Sequence, residues 1–221
     1  RNHIKFVTIA SAGNESDFGS LGAQHEQGAA LSSETRGIEG GGNWGGSNNG
    51  TIEFVTIAST GNSTDFGNLT VNRTTLSAIS SKTRGVFAAG TNVIDFITIS
   101  SAGNATDFGD IDVAKSNVAA TASNTRGVIA GGNTDGISLE FITIASAGNT
   151  TDFGDLDVAR TGPFGVSSSI RGVISGGLVS SSAVNTAQVI TIATTGNSTD
   201  YGTLTQARVY SAGASNAHGG L

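Results

Sequence analysis

An octet recurs five times along this chain: GNESDFGS from Gly13, GNSTDFGN from Gly61, GNATDFGD from Gly103, GNTTDFGD from Gly148 and GNSTDYGT from Gly196. Eight residues of this complexity do not recur five times by chance, so the chain is an array of similar units and must fold as one. A second landmark sets the phase. Arg36, Arg84, Arg126 and Arg171, in TRG or a close relative, all stand at one fixed offset from the turn glycines Gly13, Gly61, Gly103 and Gly148. The same offset from Gly196 falls on Gly219. No insertion separates octet from arginine. The step from one turn glycine to the next is shortest between Gly61 and Gly103 and longest from Gly13 to Gly61 and from Gly148 to Gly196. All of that variation lies between the arginine and the next octet.

Each unit reads as four short strands. In the second, IEFVTIAST (52–60) is a β-branched and aromatic run of strand length with both faces partly apolar, as in a sheet packed on both sides. Gly61-Asn62 tolerates positive φ and turns the chain back. DFGNLTV continues as a strand, followed by TTLSAISS (74–81) and RGVFAAG (84–90). Four strands in about 45 residues match one blade of a β-propeller. The 33 glycines and the abundance of Val, Ile and Thr exclude a helical solenoid of similar period.

The chain opens in the third strand of such a blade, HIKFVTIAS, and closes in the first strand and the start of the second, ARVYSAGASNAHGGL. The expectation is therefore one all-β domain over residues 1–221, a five-bladed β-propeller with four antiparallel strands per blade. Its closing blade is shared between the N- and C-termini, with residues 4–10 pairing to the segment around 217–221. Closure removes the unpaired strand edges an open array leaves. The chain contains no Met, so Arg1 is read as lying inside a longer gene product.

At this point the repeat resembles kelch blades, which carry an Arg before the innermost strand, a Gly pair ending the second and an aromatic opening the fourth. Arg73, Arg160 and Arg208 match the first place, Gly131-Gly132 and Gly176-Gly177 the second, and Phe66, Phe108, Phe153 and Tyr201 the third. Phe-Gly stands where kelch blades usually have Trp. More specifically, VTIASTGN-x-TDFG with TRGV-x-x-GG is similar to repeats of virion-associated proteins of marine bacteriophages, especially those infecting cyanobacteria. That resemblance covers the whole chain and implies a virion or extracellular setting.

Composition narrows the function. A net charge of −6 argues against a nucleic-acid partner. No stretch approaches the ~18 apolar residues of a membrane span, so membrane insertion is not expected. Without cysteine there is no disulfide, thiolate metal site or Cys nucleophile. No Ser-His-Asp order, GxSxG or phosphate loop is present. His3, His25 and His218 show no ligand spacing. The pairs Asp110/Asp112 and Asp155/Asp157 occur in two units only, whereas calcium takes about six oxygens. No catalytic residue, metal or cofactor is expected.

Binding is placed instead on the loops that vary between units, because alternation of hairpins puts them together on one face. They contain Asn43, Trp44, Asn48 and Asn49 in GGGNWGGSNNGT, Asn92 in GTNV, and Asn133 and Asp135 in GGNTDGIS. Trp44, the sole tryptophan, suits sugar stacking with amide neighbours, or plugs its loop against the sheet. Arg73, Lys115, Arg160 and Arg208, with His25, recur at one fixed place after each turn glycine. They form an anion-binding ring near the axis or, the stronger reading, knit blade to blade. Asp17, Asp65, Asp107, Asp152 and Asp200 are expected to cap turn amides or pair with the TRG arginines. The leading expectation is a non-enzymatic attachment or decoration module whose partner is a host cell-surface glycan or a virion structural protein. The alternatives are a kelch-propeller enzyme of oxidase or lyase type, disfavoured by two Tyr, three His and no Cys, and a structural spacer.

Overall fold

The computed structural model describes residues 2–214. Its elements are all strands, and no helix long and apolar enough to cross a membrane occurs among the described residues. β1 (His3–Phe6) and β2 (Ser16–Ser20) form a two-stranded sheet. The next unit is a four-stranded antiparallel sheet of β3 (Ala29–Ser32), β4 (Arg36–Gly40), β7 (Thr51–Thr56) and β8 (Thr64–Asn68). A small hairpin, β5 (Asn43–Trp44) and β6 (Ser47–Asn48), rises between β4 and β7. β9 (Ser77–Ser80), β10 (Arg84–Ala88), β11 (Val93–Thr98) and β12 (Thr106–Asp110) make the second such sheet. β13 (Ala119–Ala122), β14 (Arg126–Ala130), β15 (Ser138–Thr143) and β16 (Thr151–Asp155) make the third. The fourth holds β17 (Phe164–Ser167), β18 (Arg171–Ser175), β21 (Thr186–Thr191) and β22 (Thr199–Thr203). Between its middle strands stands a second hairpin, β19 (Leu178–Val179) and β20 (Ser182–Ala183).

The repeat register is the strand register. β4, β10, β14 and β18 each begin on the TRG arginine, and β2, β8, β12, β16 and β22 each begin at the same place in the octet. The first strand of each unit is shorter than its sequence suggests. TTLSAISS pairs only over Ser77–Ser80, because Thr75 (φ +57) donates its N–H to Gln27 O of the preceding unit. The segment before it is spent on crossing between sheets.

Neighbouring sheets are joined by the octet itself. Gly103 N–H donates to Phe66 O at 2.7 Å, and Asn68 N–H donates to Asn104 Oδ1 at 3.0 Å. The same two bonds link Phe18 with Gly61 and Ser20 with Asn62, Phe108 with Gly148 and Asp110 with Asn149, and Phe153 with Gly196 and Asp155 with Asn197. The GN of one unit thus seats on the FG of the unit before it. Gly67 must be glycine twice over: its φ is +147°, and a Cβ there would lie 2.4 Å from Gly103 O.

The arginines add a second tie. Arg36, Arg84 and Arg126 donate through Nη1 to the carbonyls of Ile99, Ile144 and Ile192 in the following sheet, at 2.8, 2.9 and 3.1 Å. Each guanidinium lies 4.2–4.4 Å over a ring of its own sheet, Phe54, Phe96 or Phe141. The octet aspartates take no part in this. Asp17 pairs with Lys5 at 3.0 Å. Asp65, Asp107, Asp152 and Asp200 are exposed and, among the described residues, make no ion pair with an arginine. A carbonyl acceptor in the next sheet replaces the expected carboxylate because the arginine points along the sheet-to-sheet direction rather than back into its own turn.

The apolar core lies between sheets. One cluster joins Ile79, Val86 and Ile94 of the second four-stranded sheet to Ile129 and Ile142 of the third. Edge-to-face ring pairs, Phe54–Phe66, Phe96–Phe108 and Phe141–Phe153, close the outer half of the first three four-stranded sheets at 5.9–6.2 Å. Inner strands touch in chain order: β3 with β9, β9 with β13, β13 with β17. The segment that follows continues this course, since a Cβ on Gly213 would meet Val166 and Gly165 O, as one on Gly165 would meet Thr121 and Ala120 O. The expected pairing of residues 4–10 with 217–221 lies outside the described residues.

Candidate functional site

Antiparallel order sends the TRG and GN turns to one end of each sheet and the variable loops with the crossovers to the other. At the loop end, β5 and β6 form a two-residue hairpin through Gly45 (φ +58) and Gly46 (φ +86), the backbone of a type I′ turn. It holds Trp44 with 58% of its surface exposed. Asn48 beside it is exposed too. Asn43 and Asn49 are partly turned to structure: Asn43 Oδ1 accepts from Gly46 N–H at 3.1 Å, and Asn49 Oδ1 accepts from the N–H and hydroxyl of Thr51 at 2.9 Å each. Asn92 Nδ2 donates to Asp110 Oδ1 at 3.0 Å, and Asn133 Oδ1 accepts from Ser116 N–H at 2.8 Å. Asp135 (φ +50) sits 3.8 Å from Lys115 Nζ.

The basic series does not ring the axis. Arg73 is fully buried, with Nη1 2.8 Å from the equally buried Asp95 and Nη2 donating to Phe87 O at 3.1 Å. Burial holds its pKa down, and the adjacent Asp95 carboxylate works against that. Lys115 is buried against Glu140 and Ser138, both 2.6 Å from Nζ. Arg160 is buried too, donating to Gly176 O at 3.1 Å and lying 3.4 Å from Asp157; burial lowers it as well. Arg208 is exposed. The anion ring is corrected by these partners. A long basic side chain at this place lies inside its sheet because a carboxylate or carbonyls of the same sheet are there to receive it.

The first four-stranded sheet departs from the others. His25 takes the basic place, with Nδ1 2.9 Å from Gly41 O and 3.3 Å from Glu39 Oε2. The β4–β7 register sets Glu39 directly opposite Glu53, where the other sheets pair Phe87 with Asp95, Ile129 with Glu140 and Ile174 with Gln188. Glu53 Oε1 and Oε2 accept from Gly22 N–H at 3.1 Å, a role Asp95 plays for Thr70. Glu39 has no such duty. Burial pushes its carboxyl up to about 8, and Glu53 adds to the rise.

Both glutamates line a cavity of about 680 Å³ bounded by the inner strands β3, β9, β13 and β17 and by residues 212–214. His3 and Lys5 form part of its wall on the β1 side. The chain matches no protein-family model and no curated protein sequence.

His25 lacks ligand spacing in the sequence, and the fold brings it to two carboxylates. A signal for this exists in the chain. Glu39 stands three places after its TRG arginine, where the other units carry Phe87, Ile129 and Ile174, so alignment of the repeats exposes it as the odd residue.

Proposed function

We propose that the chain is a five-bladed β-propeller acting as a non-enzymatic binding module, engaging its partner at the variable-loop end with Trp44 as anchor. The partner in this reading is a host-surface glycan or another virion protein; the virion setting rests on the resemblance of the repeats. Ring closure is supported by the inner-strand course, which takes one further step from β17 to Gly213. Full closure would in addition seat Gly13-Asn14 on Tyr201-Gly202, as each other GN seats on an FG; in this structure that joint is open, with nothing among the described residues within 4 Å of a Cβ on Gly202.

The observation that carries the binding assignment is the pair of hairpins. β19–β20 follows the path of β5–β6, with Ser180 and Ser181 at positive φ, and has Leu178 and Val179 where the other has Asn43 and Trp44. The hairpin thus forms without an indole, and Trp44 contributes little to the core. An exposed aromatic on a type I′ hairpin, next to an exposed Asn, suits stacking on a sugar face or filling a partner's pocket. A glycan array and pull-down against virion proteins, run on the wild type and Trp44→Ala, tests this. Binding abolished or weakened more than tenfold in the variant supports it; binding retained by Trp44→Ala, or lost only on changes in the GN turns, overturns it.

A further inference from the structure

We infer that His25, Glu39 and Glu53 form a site for one divalent transition-metal cation, with Zn²⁺ as its representative. The site goes beyond the partner-binding role of Trp44 and stands apart from it.

Three observations carry it. First, the carboxylate pair is built rather than incidental. Two glutamates directly opposite on paired strands repel, and only this four-stranded sheet has them. Room for Glu39 comes from a matching change. Gly28 stands where the other units have Leu76, Val118 and Pro163, and a Cβ there would lie 2.1 Å from Glu39 Oε1. A large apolar residue packed on a branched or aromatic one has become a carboxylate over a glycine.

Second, polar atoms are left without partners. The His25 side chain is 3% exposed, its Nε2 has no hydrogen-bond partner, and Glu39 Oε2 accepts no hydrogen bond either. In the other sheets the residue opposite the third-strand polar group is apolar, so no second carboxylate is buried beside it. Buried groups of this kind are costly unless something is supplied to them.

Third, the donor set has the geometry and access for a cation. One ligand atom from each of the three residues lies within 4.8 Å of the others, so small side-chain rotations bring them onto an ion at about 2.0–2.2 Å. Gly41 O, 2.9 Å from His25 Nδ1, can only accept that nitrogen's proton, which leaves Nε2 as the imidazole's ligand atom. Glu39 and Glu53 reach the cavity, which gives an entry path and leaves coordination positions open to water. An imidazole beside two carboxylates favours zinc-like ions over calcium or magnesium, which take all-oxygen shells.

The test is calorimetric titration of the untagged, EDTA-stripped chain with ZnCl₂, and separately with CaCl₂ and MgCl₂. The expected result is one Zn²⁺ per chain, bound at least tenfold more tightly than Ca²⁺ or Mg²⁺. Glu39→Ile, which installs the residue two other units carry, and the milder Glu39→Gln and His25→Gln each weaken Zn²⁺ tenfold or more, whereas the exposed-site control Asp107→Asn leaves it unchanged. Zn²⁺ raises the melting temperature of the wild type and not of Glu39→Gln. Absence of saturable Zn²⁺ binding, affinity unchanged in both Glu39→Gln and His25→Gln, or equal competition by Ca²⁺ overturns the assignment.

Discussion

Arg84 reaches out of its own sheet to donate to Ile144 O at 2.9 Å, while its guanidinium rests 4.4 Å over Phe96. One side chain thus serves as both a plate within a sheet and a tie to the next. Arg84→Ala removes a charged hydrogen bond and a cation–π contact, and is expected to lower unfolding free energy by about 2 kcal/mol. Arg171, whose sheet has Val189 in place of the ring, is exposed and is expected to cost well under half of that on the same change. Urea denaturation of both variants checks the contrast.

Arg73 and Asp95 form a buried pair at 2.8 Å. Arg73→Leu strands a carboxylate in the interior and is expected to destabilise by about 3–5 kcal/mol. Arg73→Leu with Asp95→Leu is expected to recover part of that loss, because no unpaired charge remains although Thr70 loses its acceptor. A double-mutant cycle by denaturant titration decides it; equal loss in the single and double variants contradicts the pairing.

Gly67→Ala forces a side chain into φ +147° and toward Gly103 O, for an expected loss on the order of 3 kcal/mol. The closed ring predicts a similar loss for Gly202→Ala. An open array predicts less, with only the strain of φ +133° and no neighbour to strike. Melting temperatures of the two variants, compared side by side, distinguish the cases.

Glu39, faced by His25 from the crossover and by Glu53 from β7, has its carboxyl raised from 4.5 to about 8. Folding therefore favours its protonated form. In the presence of chelator, this contribution is fully present below pH 4.5, declines as pH rises toward 8 and is flat above. Glu39→Gln is expected to lack that slope, seen as a smaller fall in urea midpoint between pH 5 and 8 than the wild type shows.

Trp44→Ala is expected to leave stability within about 0.5 kcal/mol of the wild type, since the indole is 58% exposed. Thermal melts check this independently of any ligand.

Much of this architecture is legible in the chain. The octet and the arginine at its fixed offset mark the strand starts in every four-stranded sheet, because invariant spacing leaves no freedom between them. The loop that carries Trp44 is legible too, but whether the indole faces out or plugs the sheet is settled only by its 58% exposure on the β5–β6 hairpin. Partners across sheets are not legible. Asn104 bonds backward to Asn68, and Arg84 forward to Ile144, over separations that no local pattern encodes. The basic residues illustrate the limit most clearly. Periodicity alone cannot tell a ring around an axis from a set of buried ties; that depends on Asp95 and Glu140 facing inward on the third strand.

The seating of each GN on the preceding FG has an evolutionary consequence. Every unit carries one half of the joint at each side, so a duplicated unit arrives already able to dock on both neighbours. Recombination between octets can then lengthen or shorten such a gene by whole units, without breaking the joint. Divergence is left free where it is observed, in the loops between the arginine and the next octet.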